Sequence, residues 1–98
     1  MTSGTHENVA EARVVICNER GLHARASAKF VKCAETFEAD IRVSKDGETV
    51  EGRSILDLMM LAAGPGAEID IRAEGDDAGA ALAALRALVE CGFEENEG

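Results

Sequence analysis

Few residues in this chain are equipped for chemistry, and two of them stand together in the run Gly21-Leu22-His23-Ala24-Arg25. A neutral imidazole carries a lone pair and can act as a nucleophile. A guanidinium two residues on can donate charge-assisted hydrogen bonds to the oxygens of an anion. If His23 opens a helix, unpaired backbone N–H groups and the positive end of the helix dipole face the same spot, which then favours a phosphoryl group. His23, Arg25 and the backbone donors can together hold a phosphohistidine. On the residues alone, a polar histidine at a helix start with no chemistry is the simpler reading. No second His, Cys or carboxylate within the motif supports hydrolysis or metal chemistry. His23 is a transfer site at most, with the leaving group supplied by another protein.

Other reactive side chains offer less. Three cysteines, Cys17, Cys33 and Cys91, are widely spaced and odd in number. No Cys-x-x-Cys pair exists and no His lies at ligand spacing from them, so neither a metal nor a cofactor is expected. Cys17 and Cys33 fall within apolar patterns and read as small buried hydrophobes, while Cys91 is expected to be partly exposed near a helix end. Free thiols suit a reducing compartment. Ser54 and Asp57 form a Ser-x-x-Asp capping box, a helix-start signal with the serine as cap. A small hydrolase would need an anion-binding loop and a positioned water ligand, and no Asn partner for that task is found.

The elements that must position these residues can be read from periodicity. Ala12–Cys17 is rich in β-branched residues and predicts a strand. Asn18–Leu22 is a turn with Gly21 as its flexible point. Ala26, Phe30, Cys33, Ala34 and Phe37 then recur at helical spacing, predicting an amphipathic helix from about His23 to Thr36. Ala39, Ile41 and Val43 alternate with polar residues as a half-buried strand. Asp46-Gly47 signals a hairpin leading to a short edge strand, Glu48–Glu51. A short helix is expected from Ile55 to Leu61, with a core stripe of Ile55, Leu58, Met59 and Ala62. Leu56 and Met60 fall off that stripe and offer an adaptable exposed patch. Ala63-Gly64-Pro65-Gly66 ends the helix. Alternation from Ala67 to Glu74 gives another strand. The last helix starts after Gly75-Asp76-Asp77, buries Ala78, Ala81, Leu82, Leu85, Leu88 and Val89, and stops near Gly92. One antiparallel sheet with helices on one face buries all these stripes, an α+β sandwich.

Size and charge narrow the function. The chain has 98 residues, 46% of them hydrophobic and only 3% aromatic. One domain at 11–93 is expected, between a flexible N-terminal tail at 1–10, which contains His6, and a flexible acidic tail at 94–98. A chain this short has little room for a deep cavity as well as a core. A net charge of -9 argues against generic nucleic-acid binding. The stretch from Arg20 to Lys32 is nevertheless basic, holding Arg20, Arg25, Lys29 and Lys32 and no acid. A basic patch on an acidic molecule suits an anionic ligand or an acidic partner surface, although Lys29 and Lys32 fit a solvated helix face equally well. Met1–Ala12 lacks the apolar stretch of a signal peptide, and Leu58–Ala67 is too short to span a bilayer, so a cytoplasmic protein without membrane insertion is expected.

The motif Gly21-Leu22-His23-Ala24-Arg25 resembles the active-site motif of HPr, the histidine-containing phosphocarrier family of the bacterial phosphotransferase system. The resemblance extends through Phe30–Val43, Asp46-Gly47, Val50, Ser54-Ile55, Leu58-Met59-Met60-Leu61 and Gly64, covering about Val14 to Leu88. It implies an open-faced sandwich, β-α-β-β-α-β-α, with a four-stranded antiparallel sheet and three helices on one face. It implies a monomeric carrier rather than an enzyme, with enzyme I phosphorylating Nδ1 of His23 and an enzyme IIA or IIB domain receiving the group. Arg25 matches the arginine that steadies the phosphoryl group. Ser54 matches a regulatory site for an HPr kinase/phosphorylase, where a phosphate meets a favourable helix start but is repelled by Asp57. Arg20, Lys29, Arg53, Leu56 and Met60 match the partner-binding face, with Arg25 among its basic rim. The family motif usually continues with Pro where this chain has Ala26, and Ala preserves the helix. The Ala26-Ser27 variant resembles the α-proteobacterial, nitrogen-related branch, so the resemblance implies sugar uptake, nitrogen-related regulation or both. A non-catalytic regulatory binding module acting through the Ser54 face is the alternative.

Overall fold

A computed structural model describes residues 8–94; His6 and the rest of 1–7, with 95–98, lie outside them. The element order is β1 (Val9–Val15), α1 (Ala24–Ala34), β2 (Asp40–Lys45), β3 (Glu48–Glu51), α2 (Ile55–Met60), β4 (Glu68–Glu74) and α3 (Ala78–Glu90), then a short 3-10 turn at Gly92–Glu94. The strands form one sheet in the order β1-β4-β2-β3, every neighbouring pair antiparallel. The expected order of strands and helices is the observed one.

Register explains the two faces of the sheet. Side chains paired directly across an antiparallel ladder share a face. One row runs Ala12, Ile71, Val43, Val50, and beside it run Ala10, Ala73, Ile41 and the pair Val14, Ile69. Apart from Ala12, these apolar residues meet Phe30, Val31, Leu58, Leu85, Val89 and Phe93 from the helical side in one core. The opposite face carries the rows Glu11, Arg72, Arg42, Glu51 and Arg13, Asp70, Ser44, Thr49. Arg13 Nε donates to Asp70 at 2.9 Å, Arg72 Nε pairs with Glu11 at 2.9 Å, and the Ser44 and Thr49 hydroxyls lie 2.8 Å apart. The hydrogen bond from Arg13 holds the Asp70 carboxyl below the usual carboxylate range. The charged rows keep this open face wet and discourage stacking on another sheet.

Three local expectations differ from the structure. β1 begins at Val9, so Val9 and Ala10, expected in the tail, pair with Glu74 and Ala73. Their polar surroundings hide the strand in the sequence, and the partner strand supplies the reason for it. In α2 only Leu58 is buried, while Ile55 and Met59 stay more than a third exposed. The helix ends at Met60, and Ala62 adopts φ 54° outside it, so the expected stripe has no continuous helix to run along. Cys17 is exposed because alternation runs Val14 in, Val15 out, Ile16 in, Cys17 out, a parity that four consecutive apolar residues conceal. Cys33 is half-buried and Cys91 exposed, and burial pushes the Cys33 thiol up.

Candidate functional site

The turn between β1 and α1 is held at both ends. Asn18 is buried, and its Nδ2 donates to the Gly21 carbonyl at 2.9 Å. Gly21 sits at φ 63°, and a Cβ there would collide with the carbonyl oxygen of Ala63. Glycine is therefore required twice, for the backbone conformation and for the close approach. The next residue uses that same oxygen: Leu22 N–H donates to the Ala63 carbonyl at 2.9 Å. On the helix side, the buried Ser27 hydroxyl donates to the Leu22 carbonyl at 3.2 Å, and Ser27 N–H to the His23 carbonyl at 2.9 Å. His23 is thus fixed between the loop after α2 and the first turn of α1.

His23 is the N-cap of α1, with extended backbone and its side chain half-buried. Its Nδ1 accepts from the backbone N–H of Arg25 at 3.2 Å. An acceptor nitrogen carries a lone pair, so in this arrangement the ring proton belongs on Nε2. The Nδ1 lone pair thus faces the first turn of α1, whose leading backbone N–H groups lack intrahelical partners. That turn contains no acidic residue, Arg25 is exposed, and Ala26 is buried against the core. The geometry joins a nucleophilic nitrogen to an anion-favouring helix start.

Ser54 is the N-cap of α2, its Oγ accepting from Asp57 N–H at 3.2 Å. The Asp57 carboxylate stands in this first turn. Leu56 and Met60 are 72% and 73% exposed, and with Ile55 and Met59 they form an apolar patch on α2.

The basic residues divide. Arg20 and Arg25 are exposed. Lys29 turns away: its Nζ donates to the Phe93 carbonyl at 2.8 Å and lies 3.7 Å from the Glu94 carboxylate. Arg53 Nη2 donates to the Phe37 and Ala39 carbonyls at 2.8 and 3.0 Å. Both cations hold backbone in place, a use that charge counting could not show. Glu94, expected in the acidic tail, belongs to this ordered turn. The sequence assigned neither Asn18 nor Ser27 a role at the site; Ser27 stood on the buried face of the helical pattern beside Ala26. Among the described residues no cluster of His, Cys, Asp or Glu could hold a metal ion, and no helix is long and apolar enough to cross a membrane.

Residues 10–91 match the family model described as the PTS HPr component phosphorylation site. The chain is similar to the phosphocarrier protein HPr of Cupriavidus necator, 43% identical over 84% of this chain and 92% of that one. It is similar also to the phosphocarrier protein NPr of Shewanella violacea, 42% identical over 87% of this chain and 93% of that one. Among solved structures, HPr-C-His from Thermoanaerobacter tengcongensis superposes with a TM-score of 0.85 at 40% identity, covering 89% of this chain and 98% of that one.

Proposed function

This chain belongs to the HPr family of the phosphotransferase system, and we propose that it carries a phosphoryl group on Nδ1 of His23. The donor is phosphorylated enzyme I and the acceptor an enzyme IIA-type domain, in sugar uptake or nitrogen-related regulation. The observation that carries this reading is the 3.2 Å hydrogen bond from Arg25 N–H to Nδ1. It fixes the direction of that nitrogen's lone pair at a helix start, so attack requires only the exchange of this one hydrogen bond.

The transfer balances without a cofactor. Nδ1 first gives up the hydrogen bond from Arg25 N–H, and its lone pair then forms a bond to phosphorus as the bond between phosphorus and the donor's nitrogen breaks, with the electron pair returning to that nitrogen. The Nε2 proton need not move. The Arg25 N–H, held by the helix, then donates to a phosphoryl oxygen instead of Nδ1, so the helix stays capped before and after transfer. The Arg25 guanidinium adds charge-assisted hydrogen bonds to the other oxygens, and the helix dipole offsets part of the new negative charge. The reverse sequence hands the group to a histidine or cysteine on the acceptor. The protein is a carrier, not a catalyst with turnover of its own, and it works as a monomer.

Leu56 and Met60, with Arg20 and Arg25, form the face that meets both partners, while Lys29 and Arg53 are engaged with backbone carbonyls. Ser54 is a second, regulatory acceptor for an ATP-dependent kinase, restrained by Asp57. Incubation with enzyme I and phosphoenolpyruvate tests the relay: wild-type protein gains an acid-labile phosphate, and a protein that gains none contradicts it.

A further inference from the structure

The family match ends at residue 91, yet the three residues that follow are built into the molecule. Gly92, Phe93 and Glu94 occupy the left-handed region in succession, at φ 71°, 55° and 63°. Phe and Glu resist that conformation, so it persists only where contacts over-determine it. Those contacts reach the site from two sides. The Phe93 ring is 1% exposed and part of the same core as Leu22, Ala26 and Phe30. Its carbonyl accepts from Lys29 Nζ at 2.8 Å, which fastens the segment to α1 six residues beyond His23. Gly92 lies beside Asn18 and Cys17: a Cβ placed on it would sit 3.7 Å from Asn18 Cβ and 3.9 Å from Cys17 Sγ. Asn18 in turn holds the Gly21 carbonyl at 2.9 Å, and Cys17 Sγ donates to the Val89 carbonyl at 3.4 Å.

We propose that Gly92–Glu94 is a latch and Phe93 a positioning residue for His23, acting through Asn18 on the turn and through Lys29 on the helix. The assignment rests on the phosphocarrier reading. The latch acts on the turn and on α1 through Asn18 and Lys29. It restricts the turn from Asn18 to Leu22, so that Nδ1 keeps its hydrogen bond to Arg25 N–H. It also explains why Lys29 points inward although it stands in the basic segment.

The test compares the full chain with a chain ending at Cys91, with Phe93→Leu and with full-length Lys29→Met. Three quantities are read: amide hydrogen exchange at Leu22, Arg25 and Ser27, the 15N shift of His23 Nδ1, and the kinetics of phosphoryl acceptance from enzyme I. The shortened chain should exchange these amides about tenfold faster. Its Nδ1 signal should lose the hydrogen-bonded shift. Its kcat should fall about tenfold with KM changed by less than about twofold. Phe93→Leu, which keeps the apolar plug, should behave nearly as wild type. If the shortened chain fails to fold, Lys29→Met still decides, because it should speed exchange at Arg25 in an otherwise intact core. Unchanged exchange in both variants, or loosened exchange with unchanged kcat, overturns the latch. A wild-type chain that accepts no phosphoryl group overturns the phosphocarrier reading instead, and the latch's role in transfer with it.

Discussion

The starts of α1 and α2 use the same local geometry for different ends. Each is capped by a side chain that accepts a backbone hydrogen bond at 3.2 Å, Nδ1 of His23 from Arg25 and Oγ of Ser54 from Asp57. Each is preceded by a buried glycine pressed against another segment, Gly21 against Ala63 and Gly52 against Ile41. The difference lies in the capping atom and its neighbours. The imidazole nitrogen needs only to release its hydrogen bond to act as a nucleophile, in a first turn without acids. The serine hydroxyl must lose a proton to attack, beside the Asp57 carboxylate. A helix start favours an anion in both places, but only the first combines that field with a ready nucleophile. Capping alone therefore does not supply a nucleophile.

The comparison breaks most completely if the geometry at His23 is disturbed. Gly21→Ala should cost about 3 kcal/mol in urea unfolding, from the positive φ and the collision with Ala63 together. Any folded fraction should accept phosphoryl groups about a hundredfold more slowly, because Leu22 and His23 shift with the turn. Next in size is Arg25→Ala, which leaves the backbone donor to Nδ1 in place. It should slow acceptance from enzyme I, or shorten the lifetime of the phosphohistidine, by about tenfold to a hundredfold. Rapid-quench labelling separates those two effects.

The second helix start sharpens the contrast in the other direction. Asp57→Asn removes the repelling carboxylate while keeping the backbone N–H that Ser54 caps. Labelling of Ser54 by an HPr kinase with ATP should rise about fivefold, and labelling by enzyme I should not change. Ser54→Ala has the smallest expected effect, about 1 kcal/mol of stability from the lost cap, with acceptance at His23 intact. A loss of His23 labelling in Ser54→Ala would mean that the two helix starts act as one site.

The sequence made the alternating strands and the long α1 and α3 stripes legible, because their apolar residues repeat over two or more turns. It was less informative over α2, where six helical residues give too short a period to separate an inner from an outer face. Leu58 alone goes inside, and the left-handed Ala62 breaks the pattern. At the site, His23, Arg25 and the helix start were visible as types and spacing. The atom that faces the helix was not, because it depends on side-chain rotation. Nor could the chain show that Lys29 and Arg53 turn toward carbonyls, since Phe93 lies 64 residues from Lys29. Long-range partners of this kind have no local signature, and Asn18 and Phe93 stayed hidden for the same reason.

The central claim is that the capping nitrogen of α1 carries the phosphoryl group. Wild-type and His23→Ala proteins, incubated with enzyme I and phosphoenolpyruvate and weighed intact by mass spectrometry, test it directly. One acid-labile phosphate is expected on the wild-type chain, assigned to Nδ1 by NMR, and none on His23→Ala. An unlabelled wild type, or a label that survives in His23→Ala, would contradict it.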